Sequence, residues 1–154
     1  GTSSRPTTVA TTKPGSPQTL QDLLNTTTTM SFDQTALEFT MRDLKADLLD
    51  SYPDLPFDLD IKIIGADLEK NGITRNQQVR DFNEQNKSVA QILTALVMKA
   101  NPITTVASPK ELDQKLIWVV GPDPADPAKQ IILITTRDAA GAKNYTLPAV
   151  FQPN

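Results

Sequence analysis

The 154-residue chain contains no histidine and no cysteine. The first absence removes the commonest general base at neutral pH and the commonest metal ligand. Ser-His-Asp and Cys-His nucleophile arrangements go with it. The second removes disulfides and thiolate metal sites. A transition-metal site would have to be built from carboxylates alone. Neither absence fixes a compartment. Glycine is scarce, and neither GxxxxGK[ST] nor GxGxxG occurs, so no glycine loop is available to cradle a phosphate.

Aromatic residues make up only 5 % of the chain, which leaves few stacking platforms for a single strand of nucleic acid. Fifteen Lys and Arg against eighteen Asp and Glu give a net charge of −3, with both signs interspersed. No basic patch offers itself to nucleic acid or to an anionic membrane. No apolar run approaches the roughly 20 residues that span a bilayer; the longest are 131–134 and 116–120. The expectations are no cofactor, no nucleic-acid partner and no membrane insertion of this segment.

What is present begins with a Thr-, Ser- and Pro-rich stretch. Residues 2–18 carry almost nothing apolar, and such a segment cannot bury enough surface to offset its conformational entropy. Residues 1–29 are therefore expected to be a disordered linker, either a tether or the ragged end of an expressed fragment. Leu20, Leu23 and Leu24 inside it suit a brief helix. Gly1 in place of Met is expected to be a residue left by tag removal. The folded domain is expected over residues 30–151.

Within that domain the periodicities alternate. Met30 and Phe32 share one face of a short strand. Thr35 and Glu38 are spaced as a capping box, and Leu37, Met41, Leu44 and Leu48 then form one helical face. The helix is expected to stop before Pro53. Residues 57–63 alternate apolar and polar without error, a strand with one wet face. Asn71-Gly72 marks a turn, and residues 76–82 a further strand. Ser88 and Gln91 form a second capping box, followed by the stripe Val89, Ile92, Leu93, Leu96, Val97, Ala100 and a stop at Asn101-Pro102. Residues 116–120 and 130–136 read as a hairpin around a proline-rich loop, 121–129. The sum is an α+β domain, βαββαββ, with two amphipathic helices packed on a small mixed sheet.

Candidate chemistry is confined to carboxylates. Asp58 and Asp60 lie on one face of the 57–63 strand; a pair can do acid–base work if its environment splits the two pKa values, yet the pattern places both on the wet face. Asp67, Glu69 and Gly72 match the opening of a calcium loop, but Arg75 stands at its ninth position and Gln78 at its twelfth. A polar turn accounts for the same letters, and no metal ligand or catalytic residue is assigned. Asp123 and Asp126, in the proline loop, and Trp118, the only tryptophan, are candidate partner contacts. For Trp118 a place in the core or on the sheet surface is the default reading and a partner-facing aromatic the alternative; for the two aspartates the default is a solubilising hairpin tip. The three Asn-x-Ser/Thr sequons, at Asn25, Asn86 and Asn144, would matter only in a eukaryotic secreted protein.

The order of these elements resembles the short N-terminal domain shared by secretins and TonB-dependent transducers. The resemblance rests on Met30–Phe32, the Leu37, Met41, Leu44 helix, residues 57–63, the helix opened by Ser88-Val89 with Ile92, Leu93 and Leu96, and the final strand 131–136. Tyr145-Thr146-Leu147-Pro148 is similar to the tyrosine-containing strand that follows. A longer first helix, a longer 57–64 strand and the 122–127 insertion depart from the family pattern. The resemblance implies a periplasmic, cell-surface or secreted bacterial domain that docks a protein partner without catalysis, often through an exposed strand edge. A small-ligand or carboxylate-based metal-binding domain, and a purely structural spacer, stand as alternatives.

Overall fold

In a computed structural model that describes residues 17–153, the apolar stripes become the faces that meet. Helix α1 (Leu20–Leu24) precedes strand β1 (Thr27–Ala36), helix α2 (Leu37–Ser51), strand β2 (Ile61–Ile63) and the one-turn helix α3 (Gly65–Glu69). Strand β3 (Gln78–Ser88), helix α4 (Val89–Ala100), the hairpin strands β4 (Leu116–Asp123) and β5 (Asp126–Thr136), and helix α5 (Arg137–Ala142) follow. A 3-10 turn (Ala149–Phe151) comes last. The class is α+β, with helices packed on small sheets. The strands divide into two sheets: an antiparallel ribbon β1–β3, and a mixed sheet ordered β2-β5-β4 in which β2 runs parallel to β5.

The ordered structure begins before Met30, so the expected boundary is corrected. Leu23 and Leu24 are buried, Thr19 Oγ1 accepts from the Asp22 N–H at 3.1 Å, and residues 27–29 belong to β1. Three leucines at helical spacing suffice to dock one turn against α4. Residues 1–16 of the expected linker lie outside the described residues.

Helix α4 carries the core. Val89, Ile92, Leu93, Leu96, Val97 and Ala100 are fully buried, against β3 of the ribbon and β4 of the mixed sheet. Each of the larger side chains contributes roughly 1.5–3 kcal/mol of burial. The Ser88 capping box forms in full: Ser88 Oγ accepts from the Gln91 N–H at 3.1 Å, and Gln91 Oε1 accepts from the Ser88 N–H at 3.0 Å. The expected Thr35 box does not form. Thr35 pairs with Val79 in the ribbon, the N-cap is Ala36, and the first N–H groups of α2 donate to the carbonyls of Gln77 and Arg75. A neighbouring loop thus does what the Thr35 hydroxyl was expected to do.

Two further expectations need correction. Only Ile61–Ile63 of the 57–63 run enters a sheet. The Asp60 carboxylate takes the Ile61 N–H at 2.8 Å, and residues 127–129 of β5 carry no cross-strand partner, since Pro122 pairs with Gln130 and Asp123 with Asp126. The long proline loop, conversely, is mostly strand. Its turn is Pro124-Ala125 alone. Pro122 sits where its backbone points away from β5, so its missing N–H costs the ladder nothing.

Polar side chains bind the 102–115 loop to this frame. Asn101 donates to the carbonyls of Ile103 and Asp113 and accepts from the N–H groups of Lys115 and Leu116, at 2.8 to 3.1 Å. The Arg137 guanidinium donates to the carbonyls of Pro109, Glu111, Gln114 and Phe151. Burial without a carboxylate partner pulls its pKa below the usual arginine value. Three outcomes are expected in urea denaturation. Ser88→Ala costs about 1 kcal/mol, whereas Thr35→Val, which keeps the β-branch, shifts stability by less than about 0.5 kcal/mol. Asn101→Ala leaves four main-chain groups, the buried Leu116 N–H among them, short of a partner and costs about 1–3 kcal/mol.

Candidate functional site

The two edges of the mixed sheet differ. At β4, the backbone of Leu116 is taken up by side chains: Asn101 Oδ1 accepts its N–H and Gln114 Nε2 donates to its carbonyl at 2.6 Å. Further along, Trp118 and Val120 border a cavity of about 380 Å³ whose far wall is the C-terminal segment 146–150. The C-terminal segment faces that edge across the cavity, and the outward backbone groups of Trp118 and Val120 have no hydrogen-bond partner among the described residues.

At β2 the edge is open. The Ile132 N–H donates to the Asp60 carbonyl at 3.1 Å, and the Ile64 N–H to the Ile134 carbonyl at 2.9 Å. A parallel ladder alternates, so Lys62 turns both backbone groups toward β5, while Ile61 and Ile63 turn theirs away. The Asp60 carboxylate covers the Ile61 N–H. The Ile61 carbonyl and both backbone groups of Ile63 have no partner among the described residues. They face a cleft of about 560 Å³ between β2 and the Glu38, Met41, Arg42, Lys45 stripe of α2, closed at its ends by Arg75 and Pro124.

The cleft is apolar in its floor and charged on its rim. Met41, Ile61, Ile63 and Ile64 form the floor. Lys45 is tied to Asp60 at 3.1 Å, and Lys62 to Asp123 at 2.7 Å. Arg42 and Arg75 have no carboxylate partner among the described residues. Each is held by packing instead. The Arg42 guanidinium lies 4.5 Å above the ring of Phe39, itself 40 % exposed. Arg75 lies across Gly65, where an added Cβ would come within 3.0 Å of its Nε. Glu38, one turn before Arg42, is the cleft's one acid without a cation partner among the described residues.

Of the residues singled out from the sequence, Asp58, Asp60 and Asp123 line one cleft of about 530 Å³ with Lys45 and Lys129, and the rest lie apart. Asp58 pairs with Lys129 at 2.8 Å in solvent, Asp60 with Lys45, and Asp67 with Lys143 and Thr135; Glu69 is exposed on α3. Asp67, only 2 % exposed, sits inside α3 rather than opening a calcium loop. No cluster of three potential metal ligands occurs among the described residues. Trp118, 3 % exposed, is a core residue whose indole N–H donates to Thr94 Oγ1 at 2.9 Å and whose ring meets Phe151 edge-on. Asp123, 6 % exposed, is a strand-end carboxylate satisfied by Lys62 and by the Ala125 N–H. Of the three candidate partner contacts only Asp126 stands in solvent, on the hairpin tip. Sequence reasoning missed Arg42, Arg75 and the Ile63 edge. The signal for the arginines was faint: Arg42 sits beside the apolar stripe, and Arg75 follows the Asn71-Gly72 turn.

The chain matches no protein-family model, and no curated protein or solved structure is significantly similar to it. No helix among the described residues is long and apolar enough to cross a membrane.

The hydrogen bond from Lys62, joined by that from Ala125, holds the Asp123 carboxyl below its ordinary value of 3.8. A depressed carboxylate contributes stability that is present above the ordinary value and lost as pH falls through the folded one. Asp123→Asn is therefore expected to destabilise near neutral pH, with the gap to the parent closing below 3.8. Urea midpoints across that range check this; a gap of constant size would show that the pair does not link stability to protons.

Proposed function

We propose that this chain is a non-enzymatic protein-interaction module of an extracytoplasmic bacterial protein, periplasmic or exposed at the cell surface or secreted. We infer that it resembles the secretin and TonB short N-terminal domain in use as well as in element order, and that it takes an extended segment of a protein partner along β2. One observation carries the reading: the Ile61 carbonyl and the Ile63 N–H and carbonyl turn away from β5 toward a cleft of about 560 Å³, on a strand with no outer neighbour in its sheet. Strand addition satisfies such groups and takes its specificity from alternate side chains.

The carboxylate-based alternative is the weaker one: Asp58 and Asp60 line one cleft but each is paired with its own lysine, Asp67 lies elsewhere with Lys143, and no cluster of three potential metal ligands occurs among the described residues. A structural spacer would leave the β2 edge open in the presence of any peptide. Nuclear magnetic resonance titration with an eight-residue valine–threonine peptide separates these readings. The Ile63 amide is expected to move and gain protection from exchange, while the Lys62 amide, already bonded to β5, changes little. A copy of the peptide N-methylated at alternate residues is expected to bind at least about tenfold more weakly in one of its two registers. Shifts confined to other surfaces, or indifference to both N-methylated copies, would overturn strand addition.

A further inference from the structure

We propose that the segment taken up at β2 is acidic, with carboxylates placed to meet Arg42 and Arg75. The inference rests on the strand-addition reading above and names the chemistry of its occupant. Four cations line the cleft, and two of them are already neutralised by Asp60 and Asp123. Arg42 and Arg75 are left, opposed by Glu38 alone. This cationic excess lies on a chain whose net charge is −3.

The two guanidiniums are held in place before anything binds. Phe39 lies beneath one and the flat backbone of Gly65 beneath the other. An arginine fixed by stacking loses less freedom when it takes a carboxylate, and its planar fork matches the two oxygens. Neither support supplies a counter-charge.

The geometry also sets a pattern for the occupant. A strand laid beside β2 turns alternate side chains to opposite faces. Ile61 and Ile63 share one face of β2 and Ile64 follows on the other, and all three line the cleft with Met41, Arg42 and Arg75. A segment that carries both apolar and acidic side chains suits that lining. A nucleic-acid or polyphosphate chain fits less well, because its repeating charge would meet Glu38 and Asp60 and it offers no backbone N–H to the Ile61 and Ile63 carbonyls.

The test uses three eight-residue valine–threonine peptides of one sequence, carrying two glutamates, two glutamines or two lysines. Each is titrated by fluorescence anisotropy with the whole chain, while the Ile63 amide is followed by nuclear magnetic resonance. The glutamate peptide is expected to bind roughly tenfold tighter than its glutamine twin, and the lysine peptide weakest. The preference is expected to fade between about 0.05 and about 0.5 M salt. Arg42→Gln with Arg75→Gln should bring the glutamate peptide to the level of the glutamine twin, and Glu38→Gln should tighten it. Equal binding of all three peptides with the Ile63 amide moving in each would overturn the acidic preference and leave strand addition standing. If no peptide moves the Ile63 amide, strand addition falls and this inference falls with it.

Discussion

The burial of α4 is the constraint on which the rest of this structure depends. One twelve-residue helix places its apolar residues against β3 of the ribbon and β4 of the mixed sheet at once. Without it the two sheets have little reason to stay together. The ribbon alone is two strands, a form that is marginal in water. Leu23 and Leu24 of α1 and the stripe of α2 close on the same helix. The Ser88 cap fixes where the helix starts relative to β3, and Asn101 fixes where it ends relative to β4.

Around that helix, irregular backbone is held by a few fully engaged polar groups. Asn101 and Arg137 each serve several main-chain partners, and Gln114 joins the end of α4 to the start of β4 through Val97 and Leu116. Gln114 Oε1 is the one buried side-chain atom without a partner among the described residues. The two donor bonds made by its Nε2 leave that oxygen facing the interior. An amide that links two elements by its donors accepts an unsatisfied acceptor in exchange, at a cost of order 1–3 kcal/mol.

The α+β class and the order of elements were legible because they rest on periodicity. Leu37, Met41, Leu44 and Leu48, and the stripe from Val89 to Ala100, state their buried faces outright. What escaped was whatever depends on a distant partner. Thr35 had the letters of a cap, yet the ribbon claims it as strand. Residues 57–60 alternate as a strand should, but a ladder needs an opposing backbone, and the bulge at 127–129 withholds it. Pro122 reads as a loop residue until the direction of its absent N–H is known. A core place for Trp118 was legible from its apolar strand, whereas Asp123 read as a residue of the hairpin tip because sequence does not reveal that Lys62 satisfies its carboxylate inside the fold. The cleft was the least legible of all, since Arg42 and Arg75 lie far apart in the chain and come to one cleft only in the fold.

The β2 edge has the features of a strand guarded against indiscriminate pairing. It is three residues long, its first N–H is covered by Asp60, and Lys62 stands in its middle. Short, charged edges of this kind discourage edge-to-edge aggregation. The guard is incomplete at Ile63, whose N–H and carbonyl remain available where the apolar floor is deepest. A hydrophobic strand from another copy would have to approach past Arg42, Arg75 and Glu38 without offering them anything. A segment that brings carboxylates gains at the same positions where an apolar one loses. The charges that protect the edge and the charges that would select its partner are therefore the same ones, and specificity here needs no pocket deeper than the cleft already present.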